Sequence, residues 1–308
     1  MKILVIGGSY FYGRVFVMEA SKEHEVTVVN RGTYSMEGFG VSQITGNRED
    51  IGLWQSVTED YDVLVDFCGY KAGDVANVLE HIAGHIGHYI FISTVDVYKR
   101  GLSGYKEEDT PLELRKFAGE AGEYIGGKVA LEQEIRLQCE QKEIPFTILR
   151  PAILYGPFNY APRESVFIQL MVQQQLLPRI TDADGCFQLI YVKDAANAII
   201  KCMGNEKAYG QSYNLCGDEV VSYDMLADAL LKGFRKIEQG EKGTQIQQIP
   251  MTVQAAMDQG LPLSFPVTKA ETELCSNEKS KAELDMQYIS LEEGMGRTCQ
   301  AFWSVFSK

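Results

Sequence analysis

The sequence predicts an α/β fold, a doubly wound parallel sheet joined to a smaller C-terminal unit on the substrate side. Two observations predict this fold. Short apolar runs alternate with segments of helical periodicity as far as Arg150, which is typical of a parallel sheet covered by helices on both faces. The first apolar run passes into a glycine-rich segment and then into a helix, which is the usual opening of such a sheet.

The elements of the predicted sheet follow in chain order. We expect strands at residues 3–6, 26–30, 41–45, 62–68, 89–93 and 146–150. We expect helices near residues 14–21, 74–83 and 123–141. The predicted strand order is 3-2-1-4-5-6, which puts a ligand crevice at the carboxyl ends of strands one and four.

Beyond Pro151 the pattern is looser and predicts the smaller unit. We expect helices near 165–174 and 195–203, strands at 187–192 and 213–215, and a polar surface loop at 236–243. Asp194 and Ser222 are interpreted as N-caps of the helices that follow them. The predicted dinucleotide-binding domain is 1–155, with 187–216 returning to it. The predicted substrate-side domain is 156–186 and 217–308, including the segments 244–249, 252–259 and 291–306.

Composition and charge exclude several classes of protein. The chain has 308 residues, of which 45% are hydrophobic and 23% charged, as in globular proteins. A net charge of −13 disfavours a general nucleic-acid binder, which needs Lys and Arg to neutralise phosphates. Seven scattered cysteines without a C-x-x-C pair indicate reduced thiols. The N-terminal apolar run is about one strand long, so we expect no secretory signal, no membrane span and a cytoplasmic location.

The histidines of segment 81–88 do not predict a metal site. His81 and His85 are spaced as neighbours on a helix, but Gly84 and Gly87 interrupt the helix that would align them with His88. We interpret the segment as a helix end that leads into the next strand, and we expect no metal.

The glycine-rich turn after the first strand predicts a Rossmann-type dinucleotide site. Gly7 and Gly8 allow a tight turn that brings backbone N–H groups to a pyrophosphate, and Gly13 lets the helix pack closely. Tyr10 stands where the G-x-x-G-x-x-G pattern has its middle glycine, so the cofactor is expected to sit slightly differently. The cofactor-binding residues predicted here are Gly7, Gly8, Ser9, Tyr10, Phe11 and Gly13.

The end of the second strand favours NADP over NAD. NAD enzymes usually place a carboxylate there, and this chain has Asn30 and Arg31. Asn30 does not repel a 2′-phosphate, and Arg31 can pair with one. Arg14, just past the glycine turn, is a second candidate phosphate contact. The alternative for Arg31 is an ordinary solvated turn residue.

A Y-x-x-x-K pattern opens the long helix. Tyr124 and Lys128 are four residues apart, so their side chains share one helix face. To act near neutrality, the pKa of a tyrosine must fall from ~10 by roughly three units, about 4 kcal/mol, and a nearby ammonium favours that change. Thr94 ends the strand at 89–93, and Gly126 and Gly127 suit close approach of a cofactor or substrate. The alternatives are a surface Tyr and Lys one turn apart, and a local helix distortion.

Several motifs occur in the order typical of one superfamily. They are GGSYFYG at the N-terminus, FISTVDVY (91–98), EEDTP (107–111), YIGGKVALEQ (124–133), LRPAILYGP (149–157), IYVKDAANA (190–198) and SKAELDMQYISLEEGM (280–295). The chain thus resembles the extended short-chain dehydrogenase/reductases of the NAD(P)-dependent epimerase/dehydratase type, over nearly its whole length.

The resemblance implies roles for individual residues. Tyr124 would be the catalytic acid/base, Lys128 the ribose anchor that lowers the tyrosine pKa, and Thr94 the hydroxyl that polarises the substrate. It also implies a homodimer through the helices 74–83 and 123–141, packed as a four-helix bundle. Further implied cofactor positions are Asn47 near the adenine, Cys68, Gly69, Lys128 and Pro151.

Within the superfamily, VNRG (29–32), GNRED (46–50) and VDFCGY (65–70) resemble an atypical branch. That branch includes chloroplast stem-loop-binding proteins and bacterial relatives labelled RNA-binding or isoflavone reductase-like. Ile153 replaces an Asn common in enzymes for nucleotide sugars, whereas Asn159 and Arg163 could bind an anion or form a polar loop.

The resemblance therefore implies an NAD(P)-dependent oxidoreductase or epimerase for a small molecule, such as a sugar derivative. The alternatives are a non-catalytic NADP sensor, an RNA-associated protein and a reductase for an apolar aromatic substrate.

Overall fold

The computed structural model describes residues 1–159, 161–237 and 246–307. Its strands are β1 (Lys2–Ile6), β2 (Glu25–Asn30), β3 (Ser42–Thr45), β4 (Val63–Asp66), β5 (Tyr89–Ile92), β6 (Tyr105–Lys106), β7 (Phe146–Pro151), β8 (Ile153–Tyr155), β9 (Leu176–Ile180), β10 (Phe187–Tyr191), β11 (Gln211–Leu215), β12 (Val220–Val221), β13 (Gln247–Met251) and β14 (Leu274–Cys275). Its helices are α1 (Phe11–Ala20), α2 (Ile51–Ser56), α3 (Asp74–His81), α4 (Gly119–Gln141), α5 (Glu164–Gln174), α6 (Val192–Cys202), α7 (Tyr223–Ile237), α8 (Val253–Asp258), α9 (Glu278–Leu284) and α10 (Leu291–Phe306).

The larger of two compact units comprises residues 1–152, 193–215 and 276–287. Its seven-stranded sheet has the order β11-β7-β5-β4-β1-β2-β3, and neighbouring strands are parallel throughout. The predicted doubly wound α/β fold is confirmed, with β7 as the sixth strand of the predicted order. A further strand, β11, extends the sheet beyond it.

Both faces of this sheet are buried, which explains why its central strands are apolar along their length. Leu4 and Ile6 of β1 pack into a core that also contains Val78 of α3 and Ile135 of α4. The intervening residue Val5 points to the opposite face because side chains alternate along a strand. Each strand therefore needs apolar residues at consecutive positions, and a parallel sheet is the arrangement that uses them.

Helix α2 was not predicted. It has six residues, which is too short for a clear helical period. Asp50 caps its N-terminus by accepting a hydrogen bond from the Gly52 N–H at 2.9 Å. Trp54 is fully buried and donates from Nε1 to the Arg48 carbonyl at 2.7 Å, so this one side chain anchors α2 within the larger unit.

The described residues of 153–192, 216–275 and 288–307 form the smaller compact unit. It contains a three-stranded sheet of order β12-β10-β8 and the parallel pair β13 and β9. Helices α7 and α10 cross closely in this unit. A Cβ on Gly233 would lie only 3.0 Å from the Gly296 Cα, so the crossing leaves no room for a side chain there. Of the predicted loop 236–243, residues 236–237 belong to α7, and the remainder lies outside the described residues. Residues 244 and 245 of the predicted segment 244–249 also lie outside them.

The chain passes between the units at positions that differ from the predicted ones. Strand β10 pairs with β8 and β12, so residues 187–192 belong to the smaller unit instead of returning to the larger one. Residues 193–215 and 276–287 return instead. An apolar run does not specify its partner strand, which is why the sequence misplaced β10.

One of the two predicted N-caps is confirmed. The Ser222 hydroxyl accepts from the Met225 N–H at 3.2 Å at the start of α7. The assignment of Asp194 was wrong, because α6 begins at Val192 and Asp194 lies in its first turn. Among the described residues, no helix combines the length and the apolar character needed to cross a membrane.

Candidate active site

The glycine turn between β1 and α1 is required by contacts within the protein. Gly7 and Gly8 have φ angles of +93° and +70°, which favour glycine. A Cβ on Gly7 would lie 2.4 Å from the Cys68 sulfur, and one on Gly13 would lie 2.7 Å from the Gly8 Cα. The close approach predicted for Gly13 is thus made to the turn itself, and it brings the N-terminus of α1 against Gly8.

Tyr10 joins two loops at the carboxyl ends of β1 and β2. It is the N-cap residue of α1, and its side chain does not cap the helix. Its ring stacks on the ring of Tyr34, with centroids 5.8 Å apart and an angle of 28° between the planes. Phe11 follows with a φ of +36°, a left-handed conformation that is unusual for a residue other than glycine. The side chain at the missing glycine position therefore packs on the loop after β2.

The residues at the end of β2 have separate environments. The Asn30 amide oxygen accepts from the Gly32 N–H at 2.8 Å and from Gln43 Nε2 at 2.9 Å, so it holds the turn. Arg31 is exposed and forms no ion pair in the described part of the chain. The Arg14 guanidinium lies 5.0 Å from the centroid of the Phe39 ring.

Five other predicted cofactor positions lie in the glycine turn and at the ends of neighbouring strands. Asn47 is exposed, and its amide oxygen accepts from the Glu49 N–H at 3.2 Å in a local turn. Burial raises the pKa of the Cys68 thiol to about 11. A Cβ on Gly69 would meet the Phe91 ring at 2.7 Å. Ser9 is half-buried in the glycine turn, and Pro151 is the buried last residue of β7.

Lys128 is a buried cation whose one hydrogen-bond acceptor in the described part of the chain is neutral. Only 2% of the residue is exposed, and its Nζ donates to the carbonyl of Ile92, the last residue of β5, at 2.8 Å. Burial lowers the pKa of Lys128 to about 8, and the negative charge of Asp66 opposes that shift. The ammonium is therefore more easily deprotonated than that of a surface lysine, and its positive charge is not neutralised by direct pairing.

The structure brings Tyr124 and Lys128 together. Lys128 Nζ lies 5.8 Å from the centroid of the Tyr124 ring, and Tyr124 is 39% exposed. Thr94 lies two residues beyond Ile92, where its hydroxyl accepts from the Asp96 N–H at 3.2 Å and donates to the Asp96 carboxylate at 3.3 Å. The second of these hydrogen bonds is long, so the Thr94 proton is held weakly.

The two helix glycines differ in a way that the sequence did not indicate. A Cβ on Gly127 would lie 1.9 Å from the carbonyl oxygen of Tyr70, whereas one on Gly126 would have open space within 4 Å. The close approach at Gly127 is therefore made by the protein's own backbone, instead of the ligand that the spacing suggested.

Sequence reasoning missed a charged cluster beneath the Cys68–Gly69 turn. The Arg48 guanidinium donates to both carboxylate oxygens of Asp66 at 3.0 Å, and the Tyr89 hydroxyl donates to Asp66 at 2.7 Å. Asp66 is fully buried, and the adjacent Arg48 charge helps to keep its pKa below the usual value against the effect of burial. The sequence feature that could have indicated this cluster is Asp66 itself, an aspartate at the end of an apolar strand.

A second missed network joins α4 to β5 and β7. Glu132 accepts from Arg150 Nε at 2.9 Å, from Arg150 Nη2 at 2.5 Å and from the Ser93 hydroxyl at 2.7 Å. Arg150 Nη1 donates to the Tyr98 hydroxyl at 2.7 Å, and Tyr98 donates to Asn214 at 2.6 Å. All five side chains are buried. This network fixes the strand end that carries Thr94 to the helix that carries Tyr124 and Lys128.

In the smaller unit, the polar residues after β8 have internal roles. Asn159 is buried and donates from its amide to Glu164 at 2.9 Å, which favours the polar-loop alternative over an anion contact. Arg163 lies directly before Glu164 and donates to the Leu154 carbonyl at 3.4 Å. Ile153 is the first residue of β8.

The three histidines of segment 81–88 lie in separate environments. His81 Nδ1 lies 2.9 Å from the Asn77 carbonyl, His85 is exposed, and His88 is buried with Nε2 2.9 Å from the Thr147 hydroxyl. Within the part of the chain that the structure describes, no group of His, Cys, Asp and Glu side chains is arranged to hold a metal ion.

Comparison with known proteins identifies the family from the sequence itself. A model of the NAD dependent epimerase/dehydratase family matches residues 3–216. The chain belongs to that family. Membership supports a general oxidoreductase or epimerase role and a nicotinamide cofactor in either form, NAD or NADP.

The family assignment is supported by one curated relative. The chain is 31% identical over 260 residues to the chloroplast stem-loop binding protein of 41 kDa b of Arabidopsis thaliana. The match covers 77% of this chain and 65% of that protein, so the chain spans less than two thirds of the relative's length. The predicted resemblance to the epimerase/dehydratase superfamily is thus confirmed.

Solved structures show the same fold at low sequence identity. UDP-glucose 4-epimerase from Thermotoga maritima has a TM-score of 0.77 and 17% identity, and the match covers 99% of each chain. The dTDP-glucose 4,6-dehydratase from Bacillus anthracis has a TM-score of 0.74 and 19% identity, with 99% of this chain and 97% of that chain covered. Both similarities support a Rossmann fold for this chain.

Proposed function

We propose that this protein is a nicotinamide-dependent oxidoreductase or epimerase/dehydratase that acts on a hydroxyl or carbonyl carbon of a small molecule. One observation carries the proposal. The buried ammonium of Lys128 lacks a paired carboxylate in the described part of the chain and lies 5.8 Å from the ring of the partly exposed Tyr124. Burying an unpaired charge is costly, so such a charge is favoured where it serves a ligand or a reaction.

In this proposal the bound nicotinamide supplies or accepts a hydride at the substrate carbon. Tyr124 exchanges the proton of the substrate oxygen, and the Lys128 charge favours the phenolate form of Tyr124. Thr94 donates a hydrogen bond to the same substrate oxygen, and its hydroxyl proton stays on Thr94. The buried Glu132–Arg150 network is proposed to hold these side chains at fixed positions relative to one another.

The cofactor is proposed to bind along the carboxyl ends of β1, β2 and β4. The glycine turn and the N-terminus of α1 suit a pyrophosphate, because backbone N–H groups and the helix dipole favour negative charge there. Arg31 has no ion-pair partner in the described part of the chain. Burial raises the pKa of Cys68, and the Arg31 charge slightly opposes that rise, which supports a position of Arg31 near the turn. With Asn30 in place of an acidic residue, this end of β2 favours NADP over NAD.

A small molecule is proposed as the substrate, and its recognition is assigned to the smaller unit. Structural neighbours include an epimerase with UDP-glucose, which makes a sugar derivative a reasonable class to test. Ile153 speaks against a nucleotide sugar, because it lacks the amide expected near a diphosphate. A cytoplasmic location and a homodimer through α3 and α4 belong to the same proposal.

Two measurements test the proposed function. Nucleotide released from the purified protein by denaturation is identified by mass spectrometry, and titrations with NADPH and NADH compare their affinities. Tyr124→Phe is then assayed against a panel of carbonyl and hydroxyl substrates. We expect the variant to bind the cofactor like the wild type and to lose turnover. If neither NADPH nor NADH bound, the cofactor claim would fail, and full turnover in Tyr124→Phe would remove the catalytic assignment.

RNA association is the second candidate, because the Arabidopsis relative is named a stem-loop binding protein. The net charge of −13 disfavours it, since phosphate contacts require exposed Lys and Arg. Retention of an RNA stem-loop that weakens steeply with salt would support this candidate. Cofactor binding without hydride exchange across the panel would instead support a non-catalytic sensor, and turnover confined to apolar aromatic substrates would support the reductase alternative.

A further inference from the structure

Three aromatic rings surround the ammonium of Lys128. Its Nζ lies 4.7 Å from the centroid of the Phe91 ring, 5.0 Å from that of Tyr70 and 5.8 Å from that of Tyr124. Each of these distances is within the range of a cation–π interaction. Its hydrogen bond to the Ile92 carbonyl provides one polar contact for a group that has three N–H donors. The rings are therefore the main surroundings of this cation.

Tyr70 lies in the turn after β4, and two carboxylates hold this turn. The Asp74 carboxylate accepts from the Tyr70 N–H at 2.8 Å, and the Asp66 carboxylate accepts from the Cys68 N–H at 2.9 Å. The Arg48 guanidinium binds both oxygens of Asp66 at 3.0 Å and donates to the Asp74 carbonyl at 2.6 Å. One largely buried arginine, whose side chain is 12% exposed, thus fixes the backbone on both sides of Tyr70.

The opposite side of the turn is held by α4. The Tyr70 carbonyl oxygen lies where a Cβ of Gly127 would be, at 1.9 Å, so this position of the helix requires glycine. The Tyr70 residue is nevertheless 54% exposed, and its ring contributes little to the hydrophobic core. The backbone of this half-exposed residue is tightly fixed and its ring lies against Lys128, which indicates that the turn serves to place the ring there.

We propose that Tyr70 is a positioning residue of the Tyr124–Lys128 site, whose ring stabilises the buried ammonium in place of a carboxylate. This proposal rests on the proposed function for its catalytic meaning. A carboxylate would stabilise the ammonium and also cancel its charge. A ring stabilises the cation through its quadrupole and leaves the net positive charge available to the Tyr124 oxygen or to a ligand.

Other groups also act on the titration of Lys128, and they come from each element packed against it. They are Cys68 in the turn with Tyr70, Asp66 at the end of β4, Arg48 after β3, Phe91 on β5, and Tyr124 and Glu132 on α4. Asp66, Cys68 and Glu132 raise the pKa of Lys128, whereas burial and Arg48 lower it. Substitutions of Tyr70 leave all of these groups in place, so a change in the titration reports on the ring.

The test is a titration of Lys128 in the full chain by NMR, with ¹³Cε-labelled lysine and Lys128→Met to assign the signal. Tyr70→Leu keeps an apolar side chain and removes the ring, and Tyr70→Phe keeps a ring. We expect Tyr70→Leu to lower the titration midpoint by roughly one pH unit and Tyr70→Phe to leave it unchanged. Tyr105→Leu is the matched control, because Tyr105 is 56% exposed and is not among the rings around Lys128.

An unchanged or raised midpoint in Tyr70→Leu would overturn the proposal, and so would a fall of equal size in Tyr70→Phe. If Tyr70→Leu melts below the titration temperature, Tyr70→Met provides the same comparison. The titration needs neither cofactor nor substrate, so its outcome is independent of nucleotide binding, which tests the proposed function. Where turnover is measurable, the alkaline limb of the Tyr70→Leu pH profile moves to lower pH by the same amount, because the protonated lysine is the active form.

Discussion

Lys128 and Arg150 are buried cations of the same unit with opposite surroundings. Arg150 pairs with Glu132 through two hydrogen bonds and with the Tyr98 hydroxyl through a third. Lys128 lies one helical turn before Glu132 and instead contacts a carbonyl and three rings. The pKa of Arg150 is raised by its partners above its usual value in spite of burial, whereas burial lowers that of Lys128 to about 8.

The difference distinguishes a charge used for architecture from a charge kept for chemistry. A buried ion pair with all its hydrogen bonds satisfied holds strands and helix in one arrangement, and removing one partner leaves a costly unpaired charge. A cation that is not paired reduces stability, and its field remains available to a reacting group. Substitutions in the two regions should therefore change stability in opposite directions.

The largest effect is expected from Glu132→Gln. The substitution leaves the buried Arg150 guanidinium without a counter-ion, so we expect a loss of about 3–5 kcal/mol in the free energy of unfolding. Urea unfolding measures the loss, and Glu123→Gln at an exposed position of the same helix is the control. A loss below about 1 kcal/mol would mean that the pair does not hold the architecture.

Lys128→Met should raise the free energy of unfolding instead of lowering it. The shift of the Lys128 pKa from 10.5 to about 8 corresponds to about 3 kcal/mol of unfavourable burial at pH 7, which the substitution removes. The unfolded lysine keeps its proton between pH 8 and 10.5 while the folded one loses it, so wild-type stability rises with pH in this window. We expect Lys128→Met to be the more stable protein at pH 7 and the advantage to shrink towards pH 10. A less stable variant at pH 7 would contradict the comparison.

His88 extends the comparison to a buried group that stays neutral. The Thr147 hydroxyl donates to the Ala208 carbonyl at 2.6 Å, so His88 Nε2 must donate to Thr147. The buried Nδ1 has no hydrogen-bond partner among the residues that the structure describes. Burial lowers the pKa of His88 to about 4 from 6.5. The unfolded histidine binds a proton first on acidification, so we expect a loss of about 2 kcal/mol between pH 6.5 and pH 5.

Urea unfolding of His88→Gln at pH 7 and pH 5 measures the contribution of His88 to this loss of stability, and His85→Gln is the exposed control. The His88 variant should show a smaller loss of stability on acidification than the control. Equal losses in the two variants would show that His88 does not contribute to acid sensitivity.

The smallest effects are expected at the two adjacent glycines of α4. Gly126→Ala adds a methyl group in open space and should stabilise the helix by about 1 kcal/mol. Gly127→Ala places a Cβ against the Tyr70 carbonyl and should destabilise the protein by about 1 kcal/mol or more. Thermal unfolding compares them, and effects of the same sign would show that the Tyr70 turn moves freely away from α4.

The parts that the sequence predicted correctly depend on local pattern. The strand order follows from apolar runs between helices, and the proximity of Tyr124 and Lys128 follows from their spacing on one helix. The glycine turn was also identified because positive φ angles and close backbone approach restrict the residue type. Their roles in cofactor binding and catalysis remain proposals.

The parts that were missed depend on pairing between distant positions. Arg48 and Asp66 are 18 residues apart, as are Glu132 and Arg150, and no periodicity links the members of either pair. The contact of Tyr70 with Lys128 was likewise hidden, because it depends on how a turn packs against a helix. Strand β10 was assigned to the wrong unit because its apolar residues suit either sheet.

In the proposed function, Lys128 has no carboxylate partner among the described residues and contributes its charge to the binding of a nicotinamide nucleotide. The most direct measurement is a titration of wild-type protein and Lys128→Met with NADPH, followed by the fluorescence of the reduced nicotinamide. We expect Lys128→Met to be folded, to be at least as stable as the wild type, and to bind NADPH about tenfold more weakly or worse. Equal affinity for NADPH in the two proteins would show that the Lys128 charge does not serve the nucleotide.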